Sequence, residues 1–194
     1  MKTLALAAVE AGDEAEGWDS VLEAARAGDR AAFDLLMRRH ERLVLGTAYR
    51  LVGNLDDAED ASQEVFLRLY RNLGKIETGN LGAWLYRVTV NVCHDARRRR
   101  PNTVPVDEQP ELVAAGRDPQ QNAGDAQRKA LLLRSLRVLS EKERAALVLR
   151  DMEGLSTAEV ASALGSSVVT VRSQISKARL KMRDFVERYS RRRL

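Results

Sequence analysis

The chain has 194 residues, 44% hydrophobic and 31% charged, with a net charge of +4 and one cysteine. That length holds one domain or two small ones, and no run approaches the ~18 apolar residues of a membrane-spanning helix. A single Cys excludes an internal disulfide framework and any multi-cysteine zinc site.

The charge is segregated. The first twenty residues carry one Lys against five acidic residues, and Pro101 to Ala126 one Arg against five. Ala163 to Leu194 carries nine Lys or Arg against two acidic residues. Such separation suits a chain that meets a polyanion with one part and a basic partner with another; solvated faces and tails are the plain alternative.

The start, MKTLALAAVEAGDEAEG, opens like a secretory signal. Its apolar run is short, however, and an acidic tract stands where a cleavage site belongs. Residues 1–17 read as an N-terminal tail, and the protein as cytoplasmic, without membrane insertion. The periodicity beyond is helical almost throughout. Gly28-Asp29 ends a short helix from about Ser20. A longer one runs to Gly53-Asn54, with Phe33, Leu36, Met37, Val44, Ala48 and Leu51 at helical spacing. Asp56 or Asp57 caps the next, whose apolar members are Ala58, Ala61, Val65, Leu69 and Leu73.

After the loop NLGKIETGN comes the helix containing WLYRVTVNVCHDARRRR, Trp84 to Arg100. Leu81, Leu85, Val88 and Val92 form its core stripe. A second stripe holds Trp84, Arg87, Asn91, His94 and Arg98. An aromatic, an amide, a His and two Arg along one face suit single-stranded nucleic acid, with rings for stacking and cations for phosphates; Trp84 also suits the core. Cys93 and His94 are adjacent, so on a helix they point ~100° apart and do not share a tetrahedral metal. His40 is the only other His. No nucleophile–base pair, metal set or cofactor motif is present, so no catalytic role is expected.

All four prolines, Pro101, Pro105, Pro110 and Pro119, fall in one acidic polar segment. Residues 101–125 therefore read as a linker, and the chain as all-α with two small helical domains, 18–100 and 126–190. In the second domain Ser140–Glu143 and Ser156–Glu159 each spell a capping box. Gly154 stops the first helix and Leu164-Gly165 the second, and Ser166 or Ser167 caps a long last helix. A short helix, a Gly turn and a second helix make a helix-turn-helix. On the last helix Val171, Ile175, Ala178, Met182 and Phe185 face the core. Val169, Arg172, Ser173, Ser176 and Lys177 lie on another side, a set suited to the major groove. Arg179, Lys181 and Arg183 follow as a basic run.

Three segments together resemble the extracytoplasmic-function (ECF) group of sigma-70-type RNA polymerase sigma factors. They are DDAEDASQEVFLRLYRNL (Asp56–Leu73), LGAWLYRVTVN (Leu81–Asn91) and LSEKERAALVLRDMEGLSTAEVASALGSSVVTVRSQISKARLKMR (Leu139–Arg183). The resemblance implies region 2 and region 4 domains, core RNA polymerase and promoter DNA as partners, and an anti-sigma factor as an expected third. It implies that Asp60, Gln63 and Glu64 meet the clamp helices of the largest polymerase subunit. The loop Lys75–Leu81, including Lys75, Asn80 and Leu81, would capture an extruded −10 base, with Trp84, Arg87, Asn91, His94 and Arg98 on the opened strand. Val169, Thr170, Arg172, Ser173, Ser176, Lys177 and Arg179 would read the −35 element. Gln174 and Leu81 depart from the family, which often has a basic residue and an aromatic at those positions. Two other readings stay open: a sigma mimic that binds an anti-sigma factor without DNA, and a stand-alone helix-turn-helix regulator. The first predicts loss of the basic reading face; the second gives the Asp56–Leu73 helix and the Trp84 stripe no purpose.

Overall fold

The structure, a computed structural model, describes residues 14–77, 79–99 and 119–191. Among these residues it is all-α, with eight helices and no strand. The first domain is built from α1 (Glu14–Arg26), α2 (Arg30–Val52), α3 (Leu55–Asn72), a 3₁₀ turn (Leu73–Lys75) and α4 (Leu81–Arg99). The second holds α5 (Pro119–Arg137), α6 (Glu141–Leu147) with a π-type extension (Val148–Met152), α7 (Thr157–Ala163) and α8 (Val168–Arg191).

The apolar stripes meet as their spacing requires. Leu36, Val44 and Ala48 of α2, Ala58, Val65 and Leu69 of α3, and Leu85 of α4 are fully buried in the first core. Phe33, Met37 and Val88 are only half-buried at its margin. Leu136, Ala146, Val148, Leu149, Val160, Val171 and Ala178 make the second core, with Met182 and Phe185 half-buried beyond it.

Helix ends follow local chemistry, with three departures from the sequence reading. First, α1 begins at Glu14, inside the expected tail, because Val21, Leu22 and Ala25 bury their side chains and hold the helix in place; residues 1–13 lie outside the described set. Second, Asn54 rather than Asp56 or Asp57 caps α3, its side chain accepting the Asp57 N–H at 2.8 Å. Gly53 ends α2 at φ 89°, a left-handed value that glycine adopts without strain, and leaves Asn54 extended at the cap. Asp56 and Asp57 instead fall in the first turn, where carboxylates meet the positive end of the helix. Third, α5 begins at Pro119, inside the segment read as linker. Proline is favoured at the first helical position because its fixed φ is already helical and the missing N–H has no partner there. Pro101, Pro105 and Pro110 lie outside the described residues.

In the second domain both capping boxes form. Ser140 Oγ accepts the Glu143 N–H at 3.4 Å while Glu143 accepts the Ser140 N–H at 2.9 Å. Ser156 and Glu159 repeat the exchange at 3.2 and 2.7 Å. Ser167, not Ser166, caps α8, accepting the Thr170 N–H at 3.1 Å.

The two domains touch. The C-terminal end of α2 meets α5, α6 and the π-type segment, and α4 meets α7. Arg144, buried at the centre of the seam, donates to the Leu136 carbonyl at 2.9 Å and across the seam to that of Leu51 at 2.7 Å. Arg137 donates to the Gly53 carbonyl at 3.2 Å. Carbonyls in the last turn of a helix lack intrahelical partners, and arginines of the second domain satisfy those of α2.

Candidate nucleic-acid and polymerase interfaces

The N-terminal half of α8 exposes the residues that the resemblance assigns to the −35 element. Val169, Thr170, Arg172, Ser173, Ser176 and Lys177 are all exposed, Val169 to 75%. Short residues with cations at the start of a helix that follows a tight turn are what a major groove accepts. Gly165, at φ 57°, makes that turn possible. Thr170 also serves locally, its hydroxyl lying 2.8 Å from Ser167 Oγ.

Arg179 is held in a fork. Its Nε and Nη2 donate to the two Asp151 oxygens at 2.9 and 2.6 Å, and this pairing raises its already high pKa. Beside it opens a cleft of about 530 Å³ lined by Arg150, Thr157, Arg172, Ser176, Arg179 and Arg183. Four guanidinium groups around one groove form an anion seat that suits duplex phosphates. Arg150 was missed in the sequence because it lies on α6's extension, far along the chain from α8. Lys181, expected in the same basic run, turns the other way and donates to both Glu143 oxygens at 2.9 and 2.8 Å.

On α4, Arg87, Asn91, His94 and Arg98 are exposed and Trp84 is half-buried. Lys75 and Asn80 are exposed at the mouth of the preceding loop, which Asp19 ties back to α1 by accepting the Gly79 N–H at 3.0 Å. Leu81 turns inward and is buried, so its side chain serves the core stripe and not the loop surface. Cys93 is buried too, and burial pushes its thiol up to about 12, far from a reactive thiolate. Among the described residues no cluster of His, Cys, Asp and Glu fits a metal ion.

Sequence comparison places these faces in a family. The chain matches the models for Sigma-70 region 2 over residues 36–103 and Sigma-70 region 4 over residues 127–182. It is 39% identical over 189 residues to the ECF RNA polymerase sigma factor SigE of Mycolicibacterium smegmatis, covering 94% of this chain and 72% of that one. The chain belongs to the ECF RNA polymerase sigma factors.

The ECF sigma factor SigM of Mycobacterium tuberculosis is 35% identical, over 90% of this chain and 88% of its own. Among solved structures, CnrH in complex with the cytosolic domain of CnrY superposes with a TM-score of 0.64 at 25% identity, over 87% of this chain and 96% of that one. The sigma factor RpoE of Bartonella quintana, in complex with the anti-sigma factor NepR, shares the fold with a TM-score of 0.62 at 21% identity, over 80% and 96% of the two chains.

In this sigma factor the residues that the resemblance assigns to polymerase lie along α3. Asp60 and Gln63 are exposed, and Glu64 is paired with Arg68 at 2.7 Å. Two residues that the sequence reading passed over extend the same face: Leu67, 50% exposed, and Tyr70, 65% exposed. Phe33 meets the Tyr70 ring edge-on with centroids 5.3 Å apart and steadies it. Their signal was available, since both are large and apolar yet fall off the Ala58–Leu73 core stripe.

Proposed function

We propose that this ECF sigma factor binds core RNA polymerase through α3, holds the opened −10 strand on α4 and reads the −35 element with α8. It is a specificity subunit with no catalytic activity of its own, working in the cytoplasm. No helix among the described residues is long and apolar enough to cross a membrane, which fits that compartment. The observation that carries the reading is the retained basic face of α8, with Arg172 and Arg179 exposed beside a cleft lined by Arg150 and Arg183. A sigma mimic would have no use for it. An anti-sigma factor is a further expected partner, as one similar structure holds a sigma factor with an anti-sigma factor and another holds CnrH with the cytosolic domain of CnrY.

On α3, Asp60, Gln63 and Glu64 offer acid and amide to a basic partner helix, and Leu67 and Tyr70 offer apolar area. On α4, Trp84 stacks a base while Arg87, His94 and Arg98 hold phosphates and Asn91 meets a base edge. On α8, Arg172 reaches a base and Arg179, steered by Asp151, takes a phosphate. Co-purification with bacterial core polymerase tests the assignment. A stoichiometric complex that is lost in a Gln63→Ala/Glu64→Ala variant is expected. A chain that binds duplex DNA alone and never core polymerase would instead be a stand-alone regulator.

A further inference from the structure

α1 lies against the loop that leads into α4 and ties it down at both ends. Arg26 Nε donates to the Leu73 carbonyl at 3.0 Å, at the 3₁₀ turn where the loop begins. Glu23, one turn back on α1, pairs with Arg26 Nη1 and steadies that guanidinium. At the other end Asp19 Oδ1 accepts the Gly79 N–H at 3.0 Å. Asp19 and Arg26 stand two helical turns apart in the sequence, so they lie on one face of α1. The helix is itself anchored: Val21, Leu22 and Ala25 are buried, and the Arg39 guanidinium of α2 sits 5.1 Å over the Trp18 ring.

Between these ties the loop has its own supports. Leu73, Ile76 and Leu81 are buried. The Asn80 N–H donates to the Glu77 carbonyl at 3.1 Å, and Asn80 Nδ2 to Glu77 Oε2 at 3.3 Å. Lys75, Glu77 and Asn80 stay exposed. Gly79 takes the left-handed φ of 79°. Glycine enters that region freely and leaves it as freely, so the bond from Asp19 is what selects one conformation there.

We propose that Asp19 and Arg26 are positioning residues for base capture, holding the loop in the pose that discriminates the extruded −10 base without touching that base. The inference rests on the strand-binding reading of α4 and the loop before it. Choosing one base over another requires hydrogen-bonding groups already fixed in place, because a loop that must first be ordered spends part of its binding energy on ordering. Phosphate affinity has no such requirement and comes from cations such as Arg87 and Arg98. Loosening the loop therefore lowers base discrimination and leaves the salt dependence of binding where it was. Asp19 also separates two roles that one side chain could play. As a charge it repels the phosphates of a strand; as an acceptor it holds the loop. Asn keeps the acceptor and removes the charge.

The test reconstitutes full-length wild type, Asp19→Ala, Asp19→Asn and Arg26→Met with bacterial core polymerase. Each complex selects from a 12-nucleotide single strand randomised at its centre, and sequencing the bound fraction gives the base preference at every position. NMR on the sigma factor alone follows solvent exchange of the Gly79 amide, and circular dichroism confirms folding. Asp19→Ala should speed that exchange and reduce the strongest base preference, each on the order of tenfold, the worth of one hydrogen bond to a charged acceptor. The salt dependence of strand affinity should not move. Asp19→Asn should keep the wild-type preference, and Arg26→Met, which frees the other end of the loop, should flatten the same position. Unchanged Gly79 exchange in Asp19→Ala would overturn the proposal. So would faster exchange with an intact preference, or an Asp19→Asn chain that fails as Asp19→Ala does. A wild-type complex with no base preference at all would defeat the strand-binding reading and the proposal with it, while the exchange rates, which need no nucleic acid, would still show whether α1 holds the loop.

Discussion

The Arg144 guanidinium donates to the Leu51 carbonyl at 2.7 Å from a position where Arg144 is only 3% exposed. One side chain therefore closes its own domain, through the carbonyls of Leu136 and Leu139, and caps the last turn of a helix in the other. Burial, with help from Arg97, lowers the guanidinium to about 10, so it is still charged at neutral pH. A base whose folded pKa is depressed costs stability as pH falls from its unfolded value to its folded one. Below about pH 10 that cost is constant and the hydrogen bonds offset it.

Removing the donor leaves the Leu51 carbonyl only the long contact from Arg97 Nη1 at 3.5 Å and takes the guanidinium from those of Leu136 and Leu139. Arg144→Met is expected to destabilise region 4 by about 3 kcal/mol, the order found when a buried charged partner is deleted. Urea denaturation of the full chain measures it; a change under ~1 kcal/mol would mean that water replaces the guanidinium at little cost.

Thr47 gives a prediction of opposite sign. Its Oγ1 is buried in α2 with no hydrogen-bond partner. Thr47→Val keeps the shape and removes the stranded hydroxyl, so stability should rise by ~1 kcal/mol and the melting temperature with it. A lower melting temperature would show that the hydroxyl is satisfied.

Acid should unfold region 4 through its capping boxes. Burial pushes the Glu143 carboxyl up, but hydrogen bonds from Lys181 and Ser140 outweigh it and hold the group below the ordinary Glu value. The Ser156 hydroxyl and N–H lower Glu159 in the same way. A carboxyl with a depressed folded pKa contributes stability above its unfolded pKa of 4.5 and loses it as pH falls through the folded one. Glu143→Gln should therefore flatten the fall in stability below about pH 4.5 while lowering stability at pH 7. An unchanged acid limb would show that Glu143 does not set the acid sensitivity of region 4.

On the −35 face, Arg172→Ala should cost ~1–3 kcal/mol of discrimination between −35 variants. Asp151→Asn should act differently, by releasing Arg179 from its fork. A freed cation binds any duplex, so nonspecific affinity and its salt dependence should rise while the specificity ratio falls. Equal losses on specific and scrambled duplexes would mark Asp151 as merely structural.

Leu67→Ala and Tyr70→Ala should each weaken core-polymerase binding by ~1–2 kcal/mol, the loss of an exposed apolar anchor. Neither should change the helical signal, because neither side chain is in the core. Unchanged core affinity in both would confine the polymerase face to Asp60, Gln63 and Glu64.

Much of this was legible in the sequence because it is local. The capping boxes at Ser140 and Ser156 and the core stripe Ala58–Leu73 are spelled within a few residues, and the structure forms them as spelled. Boundaries were harder where one residue has two uses. Pro119 reads as linker by composition and starts a helix by φ, while Asn54 outcompetes two nearby aspartates as a cap. The seam was not legible at all. Arg144 and Leu51, or Arg50 and Glu153, stand about a hundred residues apart, and their pairing depends on how two finished domains meet. Lys181 shows the same limit on a smaller scale, as a cation in a basic run that an acid on another helix has already claimed.

If the proposed function holds, α3, α4 and α8 together make core polymerase promoter-selective. Run-off transcription with purified core polymerase and a genomic promoter library measures this selectivity. Discrete transcripts whose start sites share −35 and −10 elements are expected, lost from those promoters in Arg172→Ala and lost altogether in Gln63→Ala/Glu64→Ala. No selective transcript with the wild-type chain, under conditions where it binds core polymerase, would contradict it.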